Sequence, residues 1–125
     1  MFKLTDAEWG IMEILWEKGV LSTMEIVREM EETKGWKKST VITILNRMVE
    51  KGSISYKTKN KSKLYFTMID REQARIDETR TLFNKLYGGR AGLMISSLLK
   101  NEHLSKEEID EIRKAQALKV GLHRL

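Results

Sequence analysis

The chain of 125 residues contains no cysteine and no proline. Without cysteine it has neither disulfides nor thiolate metal sites. The absence of proline suits a mostly helical chain, because proline interrupts helices. No apolar run approaches the roughly 20 residues that a membrane-spanning helix needs. The start of the chain turns acidic at Asp6, before the apolar core of a signal peptide develops. We therefore expect a cytoplasmic protein.

Signatures of catalysis and of metal binding are also missing. The sequence has no glycine-rich phosphate loop and no nucleophile motif. His103 and His123 lack the spacing of a zinc-binding helix, so surface histidines are the preferred interpretation. Acidic pairs such as Glu31-Glu32 lie on predicted helix exteriors and do not resemble two catalytic carboxylates. We expect no enzymatic activity, no cofactor and no bound metal.

Positive charge is concentrated in one segment of the chain. The net charge of +5 divides into −5 for residues 1–33, +8 for residues 34–63 and +2 for residues 64–125. A concentrated basic segment is the footprint expected of a nucleic-acid surface. Lysines that only aid solubility would be spread more evenly.

Residues 37–52 predict a helix with two different faces, which ends at Gly52. Its apolar residues follow the i, i+3, i+4, i+7 spacing of a core-facing stripe. These are Val41, Ile44, Leu45 and Met48. The other side is polar, with Thr40 at its edge, and consists of Ser39, Thr43, Asn46, Arg47 and Glu50. Such a face suits the DNA major groove, which admits a helix and presents donors, acceptors and thymine methyl groups.

Lys37 and Lys38 at the start of this helix oppose the positive end of the helix dipole, at a cost of about 0.3–1 kcal/mol each. A phosphate group would offset that cost, because a helix N-terminus flanked by lysines binds anions well. The alternative is a solvated helix whose lysines only aid solubility. This helix alone does not decide between the two interpretations.

Two capping boxes, Thr5-x-x-Glu8 and Ser22-x-x-Glu25, predict two helices before this one. Gly10 in the first helix indicates close packing, because glycine within a helix is otherwise unfavourable. The apolar residues are Ala7, Ile11, Met12, Leu15 and Trp16 in the first helix and Met24, Ile26, Val27 and Met30 in the second.

After Gly52 the apolar period changes to two, which predicts a β-hairpin with strands at residues 54–56 and 64–68. Four lysines alternate with other residues near its tip: Lys57, Lys59, Lys61 and Lys63. Side chains spaced by two in a strand point the same way, so we expect these four to share one face. Lysine on a strand edge can simply deter aggregation. Four together, after a polar-faced helix, favour a wing that lies along the DNA backbone.

Three helices followed by a hairpin with a basic tip form a winged helix-turn-helix. Its segments at residues 6–9 (Asp-Ala-Glu-Trp) and 38–47 (Lys-Ser-Thr-Val-x-Thr-x-Leu-x-Arg) resemble the penicillinase-repressor family. That family includes the repressors of β-lactamase, methicillin-resistance and copper operons. The resemblance covers nearly the whole chain and is strongest over residues 4–68. It implies that the third helix enters the major groove and that the hairpin contacts the DNA backbone.

The pattern of the residues and the resemblance together define the DNA-binding candidates. Carried over by position, the groove contacts are Lys38, Thr40, Thr43 and Arg47. The full set of candidates is Lys37, Lys38, Ser39, Thr40, Thr43, Asn46, Arg47, Lys57, Lys59, Lys61 and Lys63.

Residues 70–125 predict three more helices, with a break at Gly88-Gly89. Fewer than sixty residues in three helices make a poor core alone, and residues 93–99 are too apolar to face water. We expect a DNA-binding domain over residues 1–69 and a dimerisation domain over residues 70–125. The dimer candidates are Leu82, Phe83, Leu86, Leu93, Met94, Ile95, Leu98, Leu99, Ile109 and Ile112. The resemblance also implies a dimer; the alternative is a monomer whose C-terminal helices pack on residues 1–68.

Two departures from the family pattern concern induction. In the β-lactamase and methicillin-resistance repressors, which this chain resembles, induction comes from cleavage of an Asn-Phe bond in the C-terminal part. At the aligned position this chain has Ser97-Leu98. A regulatory protease is therefore in doubt as a partner. The copper-operon branch carries C-terminal cysteine pairs, which this chain lacks, so a thiolate metal switch is excluded. The inducing signal is unassigned.

The sequence thus predicts a mainly α-helical protein with a small β-hairpin wing. The predicted function is a sequence-specific transcriptional repressor that binds a palindromic operator in double-stranded DNA as a homodimer. The alternative is a winged-helix protein-interaction module, in which the helix and the hairpin meet an acidic protein. A steep fall of DNA affinity with salt and a preference for a palindrome would separate the two.

Overall fold

The computed structural model describes the backbone of residues 3–124 and the side chains of residues 3–118. Over this range the chain forms six helices and three strands. Their bounds are α1 Asp6–Lys18, β1 Leu21–Ser22, α2 Thr23–Lys34, α3 Lys38–Lys51, β2 Ile54–Lys59, β3 Ser62–Thr67, α4 Arg71–Tyr87, α5 Ala91–Asn101 and α6 Lys106–Arg124. This order confirms the predicted fold class. A mainly helical chain carries a small hairpin wing, which β1 extends to three strands.

The chain divides into two compact units, one up to Arg80 and one from Thr81 onward. This division falls within α4. The predicted domain boundary after residue 69 falls earlier, just before that helix. The first turns of α4, up to Arg80, belong to the same compact unit as the winged helix. The assignment of the two domains to DNA binding and dimerisation stays a prediction.

Both predicted capping boxes form, and they begin α1 and α2. The Glu8 amide donates to Thr5 Oγ1 at 3.2 Å, and the Thr5 amide donates to Glu8 Oε1 at 3.1 Å. In the second box the Glu25 amide donates to Ser22 Oγ at 3.2 Å, and the Ser22 amide donates to Glu25 Oε1 at 2.9 Å. Each box satisfies amide groups that a helix start leaves without partners.

The first unit is closed by the apolar faces of its three helices. The predicted stripe of α3 is entirely buried, as are the central apolar residues of α1 and α2: Ile11, Met12, Leu15, Ile26, Val27, Met30, Val41, Ile44, Leu45 and Met48. A Cβ atom on Gly10 would lie 3.3 Å from Met30 Cε, which confirms the close packing predicted there. Met24 is a correction, because 43% of its surface is exposed. It lies in the first turn of α2, beside α3 and the hairpin rather than the core.

The three strands form an antiparallel sheet in the order β1-β3-β2. Leu21 of β1 and Tyr56 of β2 both pair with Tyr65, which is 2% exposed and faces the core. Strands β2 and β3 are longer than predicted and leave a turn of only two residues, Asn60 and Lys61. Both have positive φ, 51° and 66°. A two-residue hairpin turn of this kind matches the right-handed twist of the strands.

In the second unit, the remainder of α4 is followed by α5 and α6. The amide of Glu108 donates to Ser105 Oγ at 3.1 Å, which caps the start of α6. Many large apolar side chains of α4, α5 and α6 are exposed. Among residues 3–124, no helix is both long and apolar enough to cross a membrane.

Candidate nucleic-acid interface

The outer side of α3 is exposed along its whole length. We define the α3 face as Ser39, Thr40, Thr43, Asn46 and Arg47, all of which are exposed. Its inner side is the buried stripe, so α3 lies with its polar residues toward solvent, as predicted. A cleft of about 410 Å³ runs along this face, between Ala7 of α1 and Arg47. A helix presented in this way fits the width of a major groove.

The hydroxyl group of Thr43 is already used within α3. Thr43 Oγ1 donates to the Ser39 carbonyl at 2.9 Å. The hydroxyl proton is therefore not free to read a base, while the methyl group and the oxygen lone pairs remain. Thymine offers a methyl group in the major groove, which apolar contacts can recognise. This geometry favours a methyl contact at Thr43.

An ion pair ties the end of α3 to the start of α1. Lys51 Nζ lies 3.0 Å from Glu8 Oε1 and 3.4 Å from Oε2, and the Glu8 side chain is fully buried. Burial raises the pKa of Glu8, but hydrogen bonds from Lys51 and Thr5 together lower it below its ordinary value of 4.5. The carboxylate thus stays charged at neutral pH. The sequence around Glu8 indicates only a capping role, because its partner Lys51 lies 43 residues further along the chain.

The four wing lysines do not share one face, so that prediction is wrong. Lys57 pairs with Leu64 and Lys59 with Ser62, whereas Lys63 pairs with Thr58. Directly paired side chains of an antiparallel sheet lie on the same face, and neighbours along a strand lie on opposite faces. Lys63 therefore lies opposite Lys57 and Lys59. The physical reason is the turn after Lys59, which interrupts the period of two.

Each face of the wing holds its lysines differently. Lys63 Nζ lies 4.5 Å from the centre of the Tyr56 ring, within the range of a cation–π contact. On the other face, Lys57 borders an apolar cleft of about 260 Å³ with Val20, Leu64 and Phe66. Aromatic and aliphatic neighbours support the stems of these lysines and leave their ammonium groups exposed.

Three of the predicted lysines meet in one groove. This groove, of about 450 Å³, is lined by Lys38 and Ile42 of α3, by residues 61–63 of the wing and by residues 22–24 at the start of α2. We call it the wing groove. It brings Lys38, Lys61 and Lys63 next to one another, while Lys57 and Lys59 lie on the opposite face of the wing. Lys37 is the N-cap of α3, is exposed, and makes no capping hydrogen bond through its side chain within the described residues.

Lys61 occupies a backbone conformation that glycine would adopt more easily. Its φ of 66° lies in the left-handed region, which costs an L-residue roughly 1–2 kcal/mol. The favoured sequence for such a turn is Asn-Gly. Lysine in place of glycine at the tip of the wing adds a cation at the expense of local stability.

No metal site accompanies the interface in the part of the chain whose side chains are described. Residues 3–118 contain no group of three or more histidine, aspartate or glutamate side chains that could hold a metal ion. His103 is exposed, and the side chain of His123 lies outside the described residues.

Comparison with known proteins assigns this arrangement to a family. The family model described as penicillinase repressor matches residues 4–117. The chain belongs to the penicillinase repressor family. Among its relatives, the methicillin resistance regulatory protein MecI of Staphylococcus aureus (strain N315) is 30% identical over 112 residues, which cover 90% of this chain and 91% of MecI. A penicillinase repressor of Staphylococcus aureus is 34% identical over 114 residues, which cover 89% and 88% of the two chains.

Two solved structures resemble the winged-helix part of this penicillinase-repressor family member. The DNA-binding domain of the repressor BlaI matches with a TM-score of 0.52 and 28% identity, over 55% of this chain and 84% of that one. The monomeric form of Bacillus licheniformis BlaI, in complex with the blaP half-operator, matches with a TM-score of 0.52 and 27% identity. The match covers 57% of this chain and 87% of that one. These matches confirm the predicted family and winged-helix fold.

Proposed function

We propose that this protein is a sequence-specific DNA-binding transcriptional repressor. The observation that carries the proposal is the exposed α3 face, flanked by the three lysines of the wing groove. A polar helix face can enter a major groove while neighbouring ammonium groups neutralise phosphates. Family membership supports the same function, since the relatives include MecI and penicillinase repressors, and BlaI has been solved with a half-operator.

Within this function, the side chains divide into two roles. Arg47, Thr43 and Thr40 lie on the α3 face, where base edges are within reach of a helix in the groove. The lysines at the start of α3 and in the wing contact phosphates, which set the position of the protein on the duplex but read no sequence. Lys57 and Lys59 approach the backbone from the outer face of the wing, and the lysines of the wing groove from the inner face.

The conformation of Lys61 supports a functional role for the wing. A strained residue persists where the surrounding structure or a function compensates for it. Here the strained residue is a lysine at the tip of the hairpin, and it lines the wing groove together with Lys38. A phosphate between these lysines would offset both the strain and their mutual repulsion.

We infer further that the functional form is a homodimer joined through the second unit. Of the predicted dimer residues, seven are exposed: Leu82, Leu86, Leu93, Ile95, Leu98, Leu99 and Ile112. A cleft of about 620 Å³ between α5 and α6 is lined largely by apolar side chains, including Ile95, Leu99 and Ile112. Soluble proteins rarely leave such surface in water. A second copy of the chain would cover it, and two-fold symmetry then requires an operator of two inverted half-sites.

Selection of bound DNA from a random pool tests the proposal most informatively. We expect the purified full-length chain to recover duplexes that share two inverted half-sites at a constant spacing. Recovery of no common sequence, together with capture of acidic proteins, would instead support the alternative of a winged-helix protein-interaction module. A double variant, Arg47→Ala with Thr43→Ala, is the control, because it removes groove contacts and keeps every lysine.

A further inference from the structure

The start of α4 is tied to α1 by three side chains. Trp16 Nε1 donates to the Ile69 carbonyl at 3.0 Å. Two residues later, Arg71 Nη2 lies 2.6 Å from Glu13 Oε2, and Arg71 Cζ lies 5.9 Å from the centre of the Trp16 ring. Trp16 therefore contacts both Ile69, two residues before the helix, and Arg71, the first residue within it. We call Glu13, Trp16 and Arg71 the exit clamp.

Burial around these residues shows that the contact is packed. Ile69 is partly buried against the core of the first unit, and Ala74, one turn into α4, is only 7% exposed. Trp9 packs edge-on against Trp16, with ring centres 5.5 Å apart. The Nε atom of Arg71 is buried and has no hydrogen-bond partner among the described residues. The guanidinium group is thus held by packing as well as by charge.

The clamp acts at the point where the direction of α4 is set. Asp70 caps the helix, because its Oδ2 accepts from the Gln73 amide at 3.2 Å. Only this residue separates the Ile69 carbonyl from Arg71. The helix then continues without a break to Tyr87, over 17 residues. At 1.5 Å per residue it is about 25 Å long, so a swing of roughly 20° at its base moves its far end by about 9 Å.

Such a displacement is large on the scale of an operator. Successive base pairs are about 3.4 Å apart along B-DNA, so 9 Å corresponds to more than two base pairs. A dimer whose α4 helices could swing freely would accept several half-site spacings and would lose orientational entropy on binding. Fixing α4 reduces both effects.

We propose that Glu13, Trp16 and Arg71 are positioning residues that fix the exit of α4 so that a dimer engages both half-sites at one spacing. The inference rests on the proposed function and assigns these residues no contact with DNA. The ion pair adds little to global stability, because the side chains of Arg71 and Glu13 are 36% and 42% exposed and such pairs contribute about 0–1 kcal/mol. The direction of α4 depends on this pair together with the Trp16 hydrogen bond and the packing around it.

The clamp itself can be tested without DNA. Since the chain lacks cysteine, Glu31→Cys on α2 and Arg80→Cys on α4 provide two unique sites for spin labels. Labelled protein is diluted with unlabelled chain, so that only distances within one protomer are measured. We expect one narrow distance distribution, which Arg71→Met and Trp16→Phe broaden. Lys18→Met is the matched control, because it removes another ion pair of α1, with Glu29, that does not involve α4. A distribution that stays narrow in Arg71→Met overturns the clamp.

The second measurement is the affinity of the protein for duplexes recovered by the selection described under the proposed function. Each duplex is used whole, with both half-sites, and shortened to a single half-site. For Arg71→Met we expect unchanged half-site affinity within about twofold. We also expect a five- to tenfold loss on the whole operator and a broader tolerance of spacers changed by one base pair. Equal losses on both duplexes, or none on the whole operator, overturn the positioning role. Wild-type protein that binds neither duplex overturns the proposed function and the positioning role together, while the spin-label result still reports on the clamp.

Discussion

Arg47 and Lys59 occupy different parts of the basic surface, so we expect their substitution by alanine to affect DNA binding in different ways. Arg47 lies on the α3 face, and Lys59 lies on the outer face of the wing. If Arg47 contacts a guanine, Arg47→Ala should cost about 1–3 kcal/mol of binding and relax the preference at one base pair. Lys59→Ala should weaken all sequences alike and reduce the slope of log affinity against log salt by about 0.9. Fluorescence anisotropy on single-base variants at several salt concentrations measures both effects, and indistinguishable behaviour of the two variants would contradict this division of roles.

Thr43 allows a separate test of how a single residue reads DNA. Because its hydroxyl donates to Ser39, Thr43→Val should bind the selected operator within about twofold of the wild type. Thr43→Ser keeps the hydroxyl and loses the methyl group, worth about 0.8 kcal/mol when buried, or roughly fourfold in affinity. Titration of both variants with the same duplex measures the two affinities and so shows whether the methyl group or the hydroxyl group of Thr43 makes the contact. The reverse order, with valine the weaker variant, would show that the hydroxyl contacts a base.

At the scale of the elements, α3 is held at its end by the pair of Glu8 and Lys51. The folded state keeps the pKa of Glu8 below its ordinary value, so the charged form stabilises the fold above pH 4.5 and this contribution disappears as the pH falls through the lowered pKa. Glu8→Gln should therefore lower the free energy of unfolding by about 1–3 kcal/mol at pH 7. The difference from the wild type should shrink below pH 4.5.

Urea unfolding at pH 7, 5 and 3 measures this difference. Glu25→Gln is the matched control, since Glu25 closes the other capping box but is exposed and makes its capping bonds with Ser22 alone. It should show a smaller difference at pH 7. A Glu8→Gln difference that is constant from pH 7 to pH 3 would refute the ion pair as its source.

The turn of the wing exchanges stability for charge. Lys61→Gly should relieve the left-handed strain and raise the free energy of unfolding by about 0.5–1 kcal/mol, after allowing for the extra backbone freedom of glycine. The same variant should lower the salt slope of DNA binding by about 0.9. Lys59→Ala is the control, because it removes a charge outside the turn. Urea unfolding and salt titration of DNA binding measure both effects in the two variants. A Lys61→Gly variant that is more stable but keeps the wild-type salt slope would contradict a role for Lys61 in phosphate binding.

These elements also show how far sequence reasoning reaches. The two faces of α3 and both capping boxes follow from spacing within a few residues, and the structure has them where they were predicted. The strand β1 was missed because two residues carry no period. The prediction that the wing lysines share one face is wrong because a turn, at Asn60 and Lys61, interrupts the alternating lysines of residues 57–63. The alternation alone resembles that of a single strand. Contacts between distant positions, such as Lys51 with Glu8 and Trp16 with Ile69, have no local signal.

At the scale of the whole molecule, the charge distribution and the exposed apolar residues divide along the chain. The basic segment of residues 34–63 belongs to the first unit, and the apolar surface of α5 and α6 belongs to the second. This division suits a protein that meets a polyanion with one unit and its own copy with the other. In the proposed dimer the two functions would be connected through α4, whose residues belong to both units. Its first turn is therefore the place where we expect binding of one half-site and of two to be separable.

The most direct test of the central claim is the salt dependence of binding to the selected operator, measured with the full-length protein. A dimer that places several lysines of each protomer on phosphates should lose about a thousandfold in affinity or more between about 50 and 200 mM salt. A scrambled duplex should bind more weakly at every salt concentration. Absence of binding to any duplex at the lowest salt, or an affinity that does not change with salt, would contradict the account.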